Sequence, residues 1–392
     1  MSGNVAPLRL CVLGDLESIH TRRWLQPFIA RGHEVHVVSY YHPNVAPQGV
    51  HLHVLDNRPQ GATATEAASS QRASKVPPNL LRIANALRYR RRGLVRILRE
   101  IKPDVLHAHY VVEYGFFAAS AGFHPLVVSA WGSDILIAAN ASRLARMITR
   151  YTLRRADLVT SNNEHMSESI RAMGFPAECV ATIVFGTDAF FLERAEASVN
   201  RLPSQAGPPT IISTRSLDSP LYNIDVVLRA VATLVSRFPD LQLLVAGTGR
   251  LRPKLEALAR DLGLDKNVQF LGWLDSPALR DAFARSHVYV SVPDSDATSV
   301  STLSAMAAGC FPVLSDLATQ REWVEDGVNG FLMPPRDVRA LAQRLGEAVD
   351  RAELRREAAQ RNYEIVEARG LWEKSVPIME AWYRRLAARS EG

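Results

Sequence analysis

Short apolar segments alternate with amphipathic, helix-length segments along nearly the whole chain, and the pattern runs through twice. In the first half LRLCVLGD, EVHVVSY, DVLHAHY, PLVVSAW and DLVTSN read as strands, and TRRWLQPFIARG as a helix closed by a C-cap glycine. In the second half the strands are TIISTRS, LQLLVAGTG, NVQFLGWL, VYVSVPD, FPVLSD and GFLMPP. Between them lie NIDVVLRAVATLVSRFP, RLRPKLEALARDLG, SPALRDAFARS and a helix of small side chains after PDSDATSV. Strands joined through helices form parallel sheets covered on both faces. Two such runs predict an α/β chain of two doubly wound, Rossmann-like domains, which 392 residues accommodate. The polar, Pro- and Gly-bearing stretch 193–209 marks the break, giving domains 1–192 and 193–371. The amphipathic segment 372–392 has no strand after it and is expected to pack across another surface.

Hydrophobic content of 47% and charged content of 22% supply an ordinary globular interior. Cys11, Cys179 and Cys310 lie far apart in apolar runs and read as reduced thiols of a cytosolic protein. No Cys/His cluster has metal-ligand spacing. LRLCVLG is too short for the apolar core of a signal peptide, and the most apolar long window, 111–132, carries Glu113, His124 and Pro125 at or near it, against a membrane span. The net charge of +6 is uneven: residues 1–190 carry 21 basic against 14 acidic side chains, and 191–392 carry 25 against 26. Part of the excess is the run 80–104, whose apolar positions recur at helical spacing with arginines on the other face. It reads either as a solvated surface helix or as a contact with an anionic membrane surface or acceptor. No nucleic-acid-binding signature accompanies it.

Ligands of open parallel sheets collect beyond the carboxyl ends of the strands. Here those ends carry Gly14, Asp15, Ser18 and His20, then His107 and His109, then Trp131, Gly132 and Asp134. In the second half they carry Arg215, the AGTGR turn with Gly247, Gly249 and Arg250, the LGWL turn with Trp273, and the loop PDSDATS. Helix N-termini with free amides, such as those expected over 297–300, favour phosphate, and Arg215 adds a permanent positive charge, so a diphosphate is held without metal. There is no Lys-Ser/Thr pair of a P-loop. Asp294 and Asp296 admit three readings: a metal-binding acid pair, an acceptor for substrate hydroxyls, or solvated loop acids. His20, His107 and His109 are each also readable as satisfied structural histidines, and Trp131 as a core residue.

The segment VYVSVPDSDATSVSTLSAMAAGCFPVLSD with EWVEDGVNGFLMPPRD resembles the C-terminal domain of the retaining, GT-B-fold glycosyltransferases of family 4. LRLCVLGD, HTRRWLQPFIARGHEVHVVSY and PDVLHAHY are similar to that family's N-terminal domain, and the resemblance covers roughly residues 8–385. It implies a cleft between two domains, a final helix returning to the first domain, a nucleoside-diphosphate sugar held by the second domain and a glycan or lipid-linked acceptor against the first. It implies no metal or cofactor. It places Asp296 and Ser304 where the family has two glutamates, the first contacting the transferred sugar and the second the ribose. Arg215 matches the family's diphosphate arginine, Tyr222 falls where its lysine stands, and Arg250 is the candidate substitute for that lysine. Trp131 falls where the family often has a histidine.

The expected donor-binding set is therefore Gly14, Arg215, Tyr222, Gly247, Gly249, Arg250, Trp273, Asp296, Thr298, Ser299, Val300 and Ser304. The expected catalytic set is Asp296, Arg215, Trp131, Asp134 and His109, and the expected acceptor set is Asp15, Ser18, His20 and Arg23. The function implied is a metal-independent, retaining glycosyltransferase, cytoplasmic, with or without peripheral attachment to the inner face of the cell membrane through residues 80–104. The alternatives are a non-catalytic nucleotide- or partner-binding protein of the same fold and a nucleotide-sugar epimerase.

Overall fold

Thirteen strands build two parallel sheets in the computed structural model, which describes residues 6–45, 47–55, 80–193 and 207–390. The first sheet contains β1 (Arg9–Leu13), β2 (Glu34–Ser39), β3 (Val50–Val54), β4 (Val105–His109), β5 (Leu126–Ser129), β6 (Leu158–Ser161) and β7 (Val180–Thr182). Its order is β3-β2-β1-β4-β5-β6-β7. The second contains β8 (Thr210–Ser213), β9 (Gln242–Ala246), β10 (Val268–Gly272), β11 (Val288–Ser291), β12 (Phe311–Ser315) and β13 (Phe331–Met333), in the order β10-β9-β8-β11-β12-β13. Every paired strand is parallel. The sequence reading found eleven of these strands and missed the edge strands β3 and β7. β3 is VHLHV, whose interleaved histidines interrupt the apolar run, and β7 has only three residues.

In both sheets the chain leaves a central strand toward one edge, then returns to its neighbour and proceeds to the other edge. That reversal falls between β1 and β4 in the first sheet and between β8 and β11 in the second. Central strands are buried on both faces, as in Val288–Ser291 and Phe311–Ser315, and read as continuous apolar runs for that reason.

The chain divides into two packed units: Met1–Ser161 with Ser167–Thr182 and Val376–Gly392, and Asn162–Met166 with Ile183–Ser375. The boundary differs from the polar stretch at 193 because Phe190 and Phe191 already belong to the second core. Phe191 packs edge-on against Phe283, and the Arg280 guanidinium lies over Phe190 at 3.7 Å. From Val376 the helix Trp372–Ser390 joins the first unit. There the Tyr383 hydroxyl sits 2.5 Å from His107 Nδ1 and accepts from Trp24 Nε1 at 3.2 Å. Glu380 on the same helix pairs with Arg31 and His33. Cys11 and Cys310 are buried and Cys179 is half-buried, all as free thiols. Among the described residues no helix is long and apolar enough to cross a membrane.

Candidate active site at the switch point of the second sheet

The loops after β8 and β11 leave the second sheet where its strand order reverses, the position at which open α/β sheets bind ligands. The first loop supplies Arg215, which is 8% exposed. The second supplies Asp296 and Ser299. Arg215 Nη2 lies 2.9 Å from Asp296 Oδ2, and Nη1 donates to Ser299 Oγ at 2.7 Å. Tyr222 lies face-on to the guanidinium at 4.4 Å, so the residue at the family's lysine position supplies a π face in place of a charge. Burial works against the charge of Arg215, but Asp296, Tyr289 and Tyr222 outweigh it and hold the pKa above the ordinary arginine value. The same burial raises Asp296, and Arg215 partly offsets this.

Both Asp296 oxygens are engaged: Oδ1 accepts from the Ala297 amide at 3.0 Å, and Oδ2 is paired with the Arg215 guanidinium. The buried hydroxyls of Ser291, Ser213 and Thr302 have no hydrogen-bond partner among the described residues, and that of Tyr289 faces the Arg215 guanidinium. Unsatisfied buried polar atoms are uncommon, and such a group marks a place prepared for a polar occupant. The sequence reading missed Tyr289, and its signal was a lone phenol within the buried run VYVS.

Ser299 is the N-cap of the helix Val300–Ala307. Its Oγ accepts from the Thr302 amide at 3.3 Å as well as from Arg215, so one hydroxyl fixes both the helix start and the guanidinium. The first turn leaves the Val300 and Ser301 amides without intrahelical acceptors. Thr302 through Ala307 are all buried, and the helix packs against Ala352–Arg369, which accounts for its small side chains. Replacing Ser299 with alanine is expected to destabilise the second unit by about 1–2 kcal/mol through the lost cap. It also frees Arg215 Nη1 from its anchor; urea melts that show no loss in the variant would exclude this role.

Several expected site residues are committed elsewhere. Ser304 is buried, its hydroxyl donates to the Val300 carbonyl at 2.9 Å and meets Thr187 Oγ1 at 2.6 Å, so its proton is committed within the fold and is not offered to a ribose. Thr298 Oγ1 accepts from Trp323 Nε1, which makes it a buried spacer in the loop. Gly247 and Gly249 serve backbone packing: a Cβ on the first would lie 2.3 Å from the Arg215 carbonyl oxygen, and on the second 2.2 Å from Leu217. Gly249 also has φ +154. They let the loop after β9 press on the loop that carries Arg215. Arg250 is exposed and its Nε donates to the Asp218 carbonyl, so it braces that same loop, and no contact joins it to Arg215. Trp273 is 68% exposed beyond β10. Asp294 is held by Arg336 and Asn223, which lowers its pKa and leaves it no role as a metal-binding partner of Asp296. Among the described residues no group of three His, Cys, Asp or Glu side chains is placed to hold a metal ion.

In the first unit, Gly14, Asp15 and Ser18 follow β1, His109 ends β4, and Trp131 and Asp134 follow β5. His109 packs against Trp131 at 4.8 Å, and Trp131 meets His20 edge-on at 5.6 Å, so these three form one aromatic group at strand ends. Gly14 abuts His109, where a Cβ would stand 3.4 Å from Nδ1. Asp15 is exposed and its Oδ1 accepts from the Glu17 amide. Ser18 precedes the helix Ile19–Ala30 without a side-chain cap bond, and that helix carries His20 and the half-buried Arg23.

Asp134 is fully buried and accepts from the amides of Val111, Trp131, Gly132 and Ile135. It ties together the π-helical turns Val111–Gly115 and Asp134–Ala138 after β4 and β5, and with its oxygens occupied it is a structural residue, not a catalytic one. His109 is 1% exposed, and burial, with His20 adding, lowers its pKa to about 3. A ring held neutral in this way is poorly placed to act as a cationic proton donor near neutral pH.

Two parallel-sheet, Rossmann-like domains with a polar site at a strand-order reversal define a GT-B architecture. Over 97% of this chain and all of the other, the structure superposes on Anabaena Alr3699/HepE in complex with UDP with a TM-score of 0.76 at 18% identity, a likeness of fold. Residues 195–365 match the family described as Glycosyl transferases group 1, and residues 9–163 match the one described as Glycosyl transferase 4-like. The chain belongs to the group 1 glycosyltransferases. It is 35% identical over 140 residues to the phosphatidyl-myo-inositol mannosyltransferase of Mycobacterium tuberculosis, covering 34% of this chain and 35% of that protein. It is 28% identical over 230 residues to the lipopolysaccharide core biosynthesis glycosyltransferase LpsE of Rhizobium meliloti, covering 57% and 64%. Similarity to the first of these thus spans about a third of that relative's length.

Proposed function

We propose that the protein transfers a sugar from a nucleoside-diphosphate sugar to a hydroxyl acceptor, with retention at the anomeric carbon and without a metal ion. The observation that carries this reading is Arg215, a buried guanidinium at the switch point beside the first turn of Val300–Ala307. Guanidinium and free helix amides are the two kinds of donor that grip a diphosphate. In the proposed reaction the bond from the anomeric carbon to the diphosphate oxygen breaks and a bond to the acceptor oxygen forms. The acceptor's proton passes to the departing diphosphate. Arg215 stabilises the charge that develops there, and the Asp296 carboxylate, held by Arg215, accepts from a sugar hydroxyl with its remaining lone pairs.

The names of the relatives support a glycan, glycolipid or lipid-linked acceptor and a hexosyl donor. The arginines of the 80–104 run would then face anionic headgroups at the inner face of a membrane.

Thermal shift with UDP, GDP and ADP tests donor binding. At about a hundredfold excess over Kd the cognate nucleotide stabilises by about 2.7 kcal/mol, and no shift with any of the three sinks the proposal. A second reading, nucleotide binding without transfer, is favoured by the burial of His109 and Asp134, two members of the expected catalytic set. A radiolabelled-sugar transfer assay on a protein that binds nucleotide separates the two.

A further inference from the structure

We propose that the helix Arg143–Arg155 of the first unit docks on an anionic phospholipid surface, with Leu144 and Met147 entering the headgroup layer. Leu144 and Met147 are 60% and 61% exposed and lie one turn apart. Ile137, in the turn just before this helix, is 42% exposed. Large apolar side chains held in water are individually common, but a group rimmed by cations is the pattern of an interfacial helix.

The rim is arginine. Arg143, Arg146, Arg150 and Arg154 are exposed on the same helix, which contains no acidic residue. The opposite face, Thr149, Thr152 and Leu153, is buried in the unit, so the helix is already seated and offers its outer face rigidly.

The arginine-rich helix Leu80–Ile101 differs in one respect. Its Leu94, Ile97, Leu98 and Ile101 are buried, leaving Tyr89 as its exposed large apolar residue among those described. Among its described side chains it offers arginines to anions and Tyr89 alone for insertion. The helix Phe116–Ala121 packs against both, and the successive right-handed crossovers into β4, β5 and β6 put all three on one face of the sheet. One bilayer surface therefore meets the arginines of Leu80–Ile101 and the apolar residues of Arg143–Arg155 together.

This deepens the reading of a lipid-linked acceptor and rests on it for biological sense, but the test uses neither donor nor acceptor, so docking and transfer fail separately. The probe is NBD on a cysteine placed at position 147 or 92 of the full chain, with the half-buried Cys179 replaced by serine. It is mixed with phosphatidylcholine vesicles with or without phosphatidylglycerol. NBD at 147 is expected to brighten and shift blue with phosphatidylglycerol vesicles alone, and to lose the effect at high salt. Leu144→Ser with Met147→Ser is expected to lower vesicle partitioning by at least about tenfold, with an unchanged melting curve. A shift at 92 without one at 147, or no shift at either, overturns the proposal. So does a concentration-dependent dimer, seen by sedimentation velocity, that Leu144→Ser abolishes, because a second copy would then cover the face.

Discussion

Arg215→Ala is expected to abolish nucleoside-diphosphate binding and to destabilise the second unit by about 3–5 kcal/mol. Both losses come from one pair. Arg215 and Asp296 are mutually close and nearly buried, so removing the guanidinium strands a carboxylate in a site that desolvates it. Arg215→Lys restores a point charge but lacks the planar fork that addresses Ser299 and Asp296 at once, and is expected to recover stability better than binding. The pH profile of Arg215→Ala distinguishes this from simple loss of packing. Burial already raises the Asp296 pKa, and without Arg215 it rises further. A group with a raised folded pKa contributes its stability below its unfolded pKa and loses it as pH rises through the folded value. The variant should therefore weaken relative to wild type as the pH rises through the wild-type Asp296 value, which already lies above the ordinary aspartate range. Calorimetric titration with UDP, GDP and ADP, together with urea melts at several pH values, gives the answer. Wild-type affinity in Arg215→Ala would remove the basis for placing a diphosphate at this switch point.

Acidification is expected to destabilise the first unit well before its carboxylates are protonated. His107 and His109 are buried and neutral, with His109 lowered to about 3 and His107 well below its usual value. Burial is the main cause for both; His109 adds to the effect on His107, and His20 to that on His109. Both bind protons in the unfolded chain near pH 6.5 but not in the folded one, so the stability they contribute is present above that pH and is lost on the way down. From pH 6.5 to 5 His109 loses roughly 1.6 kcal/mol, and His107 adds to it in the same direction. His33 and His53, also depressed mainly by burial, add in the same direction. Chemical denaturation at pH 7, 6 and 5 measures the slope, and His109→Asn should reduce it. A flat profile across that range would mean that these rings are hydrated and protonated in the folded protein.

The strand pattern of the second unit was legible because all six strands are apolar runs punctuated by loops, and the thin helix announced itself by composition. Arg215, Asp296 and Ser299 were readable as a site because their residue types suit a diphosphate and they follow strands. What the sequence withheld was the destination of hydrogen bonds. Ser304 looks available until Thr187, 117 residues away, is found against it. Asp134 looks like a reactive acid until four backbone amides are found around it. The glycines Gly247 and Gly249 resemble a phosphate loop, and only the close approach of the neighbouring backbone reveals that they are spacing elements. In each case the competing partner is distant in sequence or belongs to the main chain, which carries no residue-type signal.

The helix that brings Tyr383 to Trp24 and His107 follows the entire second unit in the chain. During synthesis, then, the earlier-made sheet must wait on the ribosome for its closing piece while the later-made one completes itself. A nascent chain stalled before Tyr383 would leave Trp24 and His107 without the ring that buries them.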